Sequence, residues 1–428
     1  MASKHEIWEL RSMQASPLSV KIAMTKTRIR EWVNTFGIDG VYVSFSGGKD
    51  STVLLHIVRE VMGYKEIPAM FVDTGLEYPE IRQFVKTFDN VEIVKPKMNF
   101  KEVVQKYGYP IISKETAEVV YNAKRYLQKL AEQETILDRQ TDRQTDRQTD
   151  SIVCLTNSST ENSQAQVNTI KITKGGATLN TENSVDLVSL AKSKDKWTMP
   201  YRVSLMLGTF ETHWQKKLQG LIPKDGAPSR AKYSQERWQF FLNAPFDISH
   251  QCCNVMKKNP AHDYAKRTGR KPMTAQMADE SRLRTQKWLQ NGCNGFDLKE
   301  PMSNPMAFWT EQDVLHYIKE YNVEICSVYG DIIDSEEGQI EGQMDLSDFG
   351  LAEKEPQFKC TGCQRTGCVF CLFGAHLEKS PNRLEKLKFT HPQIYDYVMK
   401  PEEEGGLGYK QKIDWINENN GKGTIIRY

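Results

Sequence analysis

No apolar run in this 428-residue sequence approaches the ~18 residues of a membrane span, so no membrane partner is expected. The first residues, MASKHEIWELRSMQ, hold no apolar h-region; no secretory signal is read there, and the chain is expected to be cytoplasmic. Charge of one sign is also lacking, because 57 basic residues face 55 acidic ones. That balance excludes a uniformly basic nucleic-acid coat and an acidic solvating tail. The eight histidines form no HxxxH or HExxH pair, which leaves zinc-hydrolase chemistry without support. Thiols, by contrast, are plentiful. Nine cysteines in a long chain without a leader imply metal or redox chemistry rather than a disulfide frame.

No aromatic residue occurs between Tyr126 and Trp197. Residues 138–150 read DRQTDRQTDRQTD, and 18 of the 35 residues in 151–185 are Ser, Thr, Asn or Gln. Such a stretch cannot bury enough apolar surface to offset its ordering entropy, so 133–196 reads as a disordered insertion. A solvated helix with Arg139–Asp142 pairs is the competing reading. At the DNA level a four-base tract, ACAG, would encode the same repeat in every frame. Slippage by one unit would then switch the gene on or off.

Elsewhere the chain alternates between two periods. Val41–Phe45, Pro68–Val72 and Val91–Val94 read as short buried strands. Helical spacing runs over 20–36, Ser51–Met62 (with Gly63 as C-cap), 79–88 and 99–107. Strand, helix, strand, helix, strand predicts an α/β fold with a parallel sheet covered on both faces. The first strand runs into Ser46-Gly47-Gly48-Lys49-Asp50-Ser51 and then a helix. Two glycines let backbone approach an anion, and the helix start supplies free N–H groups. Ser46 and Ser51 add hydroxyls, Lys49 can balance phosphate charge, and Asp50 can cap the helix or help hold Mg²⁺. Walker spacing is absent. The competing reading is a glycine turn with an Asp/Ser cap.

Two further clusters stand out. Residues 257–287 carry nine Lys/Arg and three Asp/Glu, a local +6 that suits a nucleotide, a sulfate or phosphate group, or a polynucleotide backbone. A solvated charged helix would look the same. Residues 360–371 read CTGCQRTGCVFC, placing Cys360, Cys363, Cys368 and Cys371 as C-x2-C-x4-C-x2-C. Thiolates this close are soft ligands for an iron–sulfur cluster or for zinc. They can bind one metal together, or one CxxC can join the tandem Cys252-Cys253. Cys293, in NGCNGF, and His56, beside the apolar face of its helix, read as structural. Thr310 and Asp313 read as a helix cap, with Trp309, Val314, Leu315 and Ile318 in the core.

SFSGGKDSTVLLH resembles the PP-loop of the ATP-pyrophosphatase and phosphoadenosine phosphosulfate (PAPS) reductase superfamily. FVDTGLEYPE is similar to the DTG-x-x-x-P-E segment of the ATP sulfurylase small subunit and the sulfonucleotide reductases. CC-x-x-x-K-K-x-P followed by ESRLR looks like the tandem cysteines and basic segment of adenylyl-sulfate reductases, and RTGCVFCLFGAHLEK resembles a bacterial and phage PAPS-reductase-like subgroup. The resemblance covers about 20–125 and 200–395. It implies a doubly wound, adenine nucleotide alpha hydrolase-like sheet. The nucleotide domain would comprise 1–132 and 197–325, and a smaller cysteine-rich region 326–428. It implies an adenine nucleotide (ATP, or PAPS or adenylyl sulfate) held by Ser46, Gly47, Gly48, Asp50, Ser51, Asp73, Glu77, Lys257, Lys258, Arg282 and Arg284. Asp50, Lys49 and Asp73 would be catalytic. It further implies a [4Fe-4S] cluster on Cys252, Cys253, Cys368 and Cys371, leaving Cys360 and Cys363 as auxiliary, exchange or persulfide thiols.

Two departures from the resemblance shape the expected activity. The reductases use a cysteine near the C-terminus, whereas Cys371 is the last cysteine here. SGGKDS is also the ATP-hydrolysing form of the loop. The leading expectation is therefore an enzyme that cleaves ATP between its α- and β-phosphates to activate an acceptor for sulfur transfer. A nucleic acid or a sulfur-donor protein would be its partner. A reductase releasing sulfite, and a nucleotide-binding sensor or subunit of a defence complex, are the alternatives.

Overall fold

The computed structural model describes residues 4–145, 173–174, 177–178, 236–335 and 356–428. Helices α1 (Ile7–Gln14) and α2 (Leu18–Phe36) precede strand β1 (Val41–Ser44), helix α3 (Lys49–His56) and strand β2 (Ala69–Val72). Next come α4 (Pro79–Val85), β3 (Val91–Val94), α5 (Phe100–Tyr107), β4 (Ile111–Ile112) and α6 (Lys114–Thr145). Strands β5 (Thr173–Lys174) and β6 (Ala177–Thr178) pair with each other. They are followed by α7 (Gln251–Cys253), α8 (Asn259–Thr268), β7 (Lys271–Met273), α9 (Arg282–Asn291), β8 (Asn294–Gly295) and β9 (Met302–Ser303). Last are α10 (Glu311–Glu320), β10 (Ile332–Asp334), β11 (Phe358–Cys360), β12 (Leu372–Phe373), α11 (Arg383–Thr390), α12 (Pro392–Met399) and α13 (Tyr409–Asn419).

The backbone divides into two units: Met1–Phe100 with Cys253–Val369, and Lys101–Cys252 with Phe370–Tyr428. The first unit holds a six-stranded sheet in the order β3-β2-β1-β7-β9-β8, parallel except for the edge strand β8. Side chains alternate along its strands. Val41 and Val43 enter a large core with Ile29, Trp32, Val53, Leu54, Phe308 and Trp309, while Tyr42 and Met70 meet Tyr264 of α8 in a separate cluster. Helices therefore cover both faces of a mostly parallel α/β sheet. Each large side chain so buried contributes about 1.5–3 kcal/mol. From β1 the chain moves outward to β2 and β3, then returns on the other side of β1 as β7. The C-terminal end of β1 is thus a topological switch point, where open α/β sheets bind ligands.

The helix expected over Ser51–Met62 is regular only to His56. A π-helical turn follows over Ile57–Val61. In this wider turn Arg59 is buried and donates to the carbonyls of Ile67, Asp89 and Asn90, tying the helix to the starts of β2 and β3. Periodicity could not show this, because its cause is carbonyls that lie far along the chain.

The second unit packs α6 and Glu236–Asn243 with the C-terminal helices. Phe240 stacks on Trp415 at 5.9 Å, and Tyr109 donates to the Leu407 carbonyl at 2.9 Å. Strands β4 and β12 pair in parallel. Helix α6 carries into the DRQT repeat as far as Thr145, inside the segment expected to be disordered. Neither Gly nor Pro interrupts 114–145. Apart from β5 and β6, the rest of 146–196 lies outside the described residues.

Candidate functional site: a phosphate loop under a cysteine-bearing turn

The loop Phe45–Gly48 leaves β1 and enters α3. Gly47 has φ +69°, and a Cβ there would meet Ile81 and Val85 at 2.9 and 2.8 Å. A Cβ on Gly48 would meet Ser46 Oγ, Thr366 Oγ1 and Tyr329 Oη, each at 3.2 Å. Gly47 is thus required both for space and for its left-handed backbone, while a side chain at Gly48 would crowd three side-chain oxygens. Ser51 is buried and braces the loop. Its hydroxyl donates to the Gly48 carbonyl at 2.9 Å and accepts from the Ser46 N–H at 3.2 Å. Ser46 Oγ in turn accepts from the Gly48 N–H. Among the described residues nothing accepts from the backbone N–H groups of Gly47, Asp50 or Ser51. These unspent donors converge at the start of α3, where the helix dipole favours an anion.

Lys49 is buried beside the loop. Its side chain is 3% exposed and its ammonium lies 3.0 Å from Glu311 Oε1 and 2.8 Å from the Gln364 carbonyl. Its N–H donates to Tyr329 Oη at 3.0 Å, and Tyr329 Oη bonds to Thr366 Oγ1 at 2.7 Å. Burial pushes the Tyr329 phenol well above its usual range, so it stays neutral. Helix α10 sets Glu311 in place: Thr310 and Asp313 form the expected capping box, and buried Lys21 donates to both Asp313 oxygens at 2.7 Å.

Burial raises the Asp50 carboxyl above its ordinary value against the pull of Lys49; Glu311 adds to the rise, while Arg365 and Arg284 oppose it. Asp50 Oδ1 and Glu311 Oε1 are buried yet accept no well-aligned hydrogen bond, although Lys49 lies within ion-pair distance of both carboxylates. Arg284 is paired with Glu280, and burial lowers its pKa, with Arg365 adding to the fall.

The turn after β2 spends its acids locally. Asp73 accepts from Arg82 at 2.9 Å and from the Gly75 N–H at 3.3 Å. Glu77 accepts from the Thr74 N–H and hydroxyl and lies 3.8 Å from Lys257. Burial opposes the charge of Lys257, but Cys368, Glu77 and Cys253 together raise its pKa. Cys368 is pushed up by burial, against the pull of Lys257. The Val369 N–H donates to the Leu76 carbonyl at 2.8 Å, fixing this end of the cysteine motif to the turn.

The expected residues are therefore brought together in part. Ser46–Ser51 and Arg284 form one group; Glu77, Lys257, Cys253 and Cys368 form a second, with Asp73 on the same turn as Glu77. Lys258 and Arg282 are exposed. The +6 segment is dispersed, since Arg267 and Arg270 go to Glu92. Cys252 and Cys371 fall in the second unit. No disulfide joins the eight described cysteines, and among the described residues no group of three or more His, Cys, Asp or Glu is arranged to hold a metal ion. Cys253 and Cys368 lie near each other beside Lys257. Cys154 lies outside the described residues. Cys293 is buried and accepts from Trp288 Nε1, and His56 Nδ1 bonds to Tyr317 Oη at 2.9 Å. Sequence reasoning passed over Glu311, Tyr329, Gln364, Arg365 and Thr366. Glu311 adjoins the Thr310 cap, and Gln364, Arg365 and Thr366 lie inside CTGCQRTGC, whereas Tyr329 carried no signal.

Comparisons with known proteins follow the same motifs. Two uncharacterized proteins of Methanocaldococcus jannaschii match at 40% identity over 74 residues and 39% over 75 residues, 16% of this chain in each case. The matches span 15% and 18% of those relatives' own lengths. A crystal structure of PAPS reductase from Candida auris, a phosphate complex, aligns over 71% of this chain and 82% of that one, with 12% identity and a TM-score of 0.30, too low for any argument. No described helix is long and apolar enough to cross a membrane. The pattern of the phosphoadenosine phosphosulfate reductase domain matches residues 40–170 and 215–372, more than half of the sequence. The chain belongs to the phosphoadenosine phosphosulfate reductase domain family.

Proposed function

We propose that the chain is an enzyme that binds an adenine nucleotide with its phosphates on Ser46–Ser51, and that it uses ATP to activate an acceptor. The observation that carries this reading is the set of unspent N–H groups of Gly47, Asp50 and Ser51 at the switch point of the sheet. Preorganised donors cost no reorganisation when charge develops on the phosphates. Asp50, whose Oδ1 is buried without an aligned donor, is the residue that would help hold Mg²⁺, which would supply charge neutralisation. Cleavage between the α- and β-phosphates would leave the acceptor adenylated and release pyrophosphate, with positioning supplying much of the rate. Sulfide-level sulfur from a donor protein would then attack the adenylated position of the acceptor, such as a nucleic acid, and AMP would leave. Cys252, Cys253, Cys368 and Cys371 are the thiols that would hold an iron–sulfur cluster, which would supply electrons or sulfur chemistry beside the nucleotide.

The family match favours a second reading, reduction of PAPS or adenylyl sulfate to sulfite. One experiment separates the two. The anaerobically purified chain is given ATP with Mg²⁺, and separately PAPS with a dithiol reductant; pyrophosphate and sulfite are then measured. Pyrophosphate without sulfite is expected. Sulfite release from PAPS would replace the first reading with the second.

A further inference from the structure

The phosphate loop has a lysine, but that lysine is spent. Lys49 is buried, its ammonium shared between Glu311 at 3.0 Å and the Gln364 carbonyl at 2.8 Å. The neighbouring cations are spent as well. Arg284 pairs with Glu280, Arg82 with Asp73, and Lys257 faces Glu77. Arg365 differs. It is exposed, and no described carboxylate lies within ion-pair distance of it. The residues on either side of it are both fastened to the loop, Gln364 through Lys49 Nζ and Thr366 through Tyr329 Oη. Its charge reaches both Asp50 and Arg284.

We infer that Arg365, not Lys49, is the cation that meets the nucleotide's phosphate, making the turn between the two CxxC pairs part of the binding site. This rests on the nucleotide-binding reading above. A guanidinium suits the task, since its planar fork gives two parallel hydrogen bonds to a tetrahedral anion, which an ammonium cannot. Arg284, whose charge is disfavoured by burial and by the like charge of Arg365, gains from an anion placed near both. Lys49 then acts as a positioning residue that holds Glu311 and the turn against the loop.

The test is calorimetric binding of adenosine, AMP and ATP to the wild-type chain, Arg365→Ala and Arg365→Lys, with melting temperatures as a check on folding. Losing a charge-assisted contact weakens ATP binding about tenfold or more. Adenosine affinity should change less than about twofold, because it carries no charge for the guanidinium to meet. Arg365→Lys should recover part of the loss by keeping charge without the fork. Equal losses for ATP and adenosine, or ATP binding unchanged in Arg365→Ala, overturn the inference while leaving the nucleotide reading intact. A wild-type chain that binds none of the three overturns both.

Discussion

Cys360 and Cys368 belong to one cysteine motif, yet their surroundings have little in common. Cys360 ends β11 in the core, where burial raises its pKa against the pull of Lys49. The residues after it, Gln364 to Thr366, fasten onto the phosphate loop. Cys368 instead sits beside Lys257 and Glu77, at the turn that follows β2. The first half of the motif is thus continuous with the phosphate site and the second with the acidic turn. The spacing C-x2-C-x4-C-x2-C leaves open whether its thiols act as one set; the fold sets the two halves against different segments.

The comparison breaks most completely at the loop itself. Gly47→Val would force a side chain into Ile81 and Val85 at a left-handed backbone position. Nucleotide affinity should fall roughly 100-fold or more, through loss of the preorganised donors; calorimetry that finds near-normal binding removes the loop from the site. Tyr329→Phe then tests the bond between the first half and the loop. Losing one buried hydrogen-bond partner should weaken ATP binding by about 2- to 10-fold. A titration curve that superimposes on the wild type would mean the turn only lies beside the loop. For the second half, Lys257→Met removes the charge that favours the Cys368 thiolate. Alkylation of Cys368, followed by mass spectrometry, should slow roughly threefold while Cys363 is unaffected; equal slowing of both thiols would merge the two halves again.

The smallest effect concerns pH. The Asp50 carboxyl has a folded pKa above its ordinary value. Near pH 4 and above, the native state therefore binds more protons than the unfolded chain, and stability falls as pH rises through that folded value. Asp50→Asn should remove this slope and raise the melting temperature at pH 7 by about 1–2 °C, at the cost of nucleotide binding. A lower melting temperature would show that the carboxylate stabilises the loop instead.

Much was legible in the sequence because its causes are local. The strands at Val41, Ala69 and Val91 follow from short apolar runs, the phosphate loop from Gly47 and Gly48 between strand and helix, and the cap from Thr310 and Asp313. These features need only neighbours a few residues away. The π-turn at Ile57–Val61 was not legible, because Arg59 answers to carbonyls of Ile67, Asp89 and Asn90. Nor could charge counting foresee that the basic segment would be dispersed, its arginines at 267 and 270 drawn away to Glu92.

The sequence by itself determined that this chain would build a mostly parallel sheet with a tight glycine turn after its first strand, since periodicity and glycine placement act over a few residues. Only the tertiary structure decided which cation is left for the ligand. Lys49 is adjacent to the loop in sequence but is claimed by Glu311 and Gln364, while Arg365, more than 300 residues away, has no ion-pair partner among the described residues. Charges act through space, and the allocation of partners among them is settled when distant segments pack.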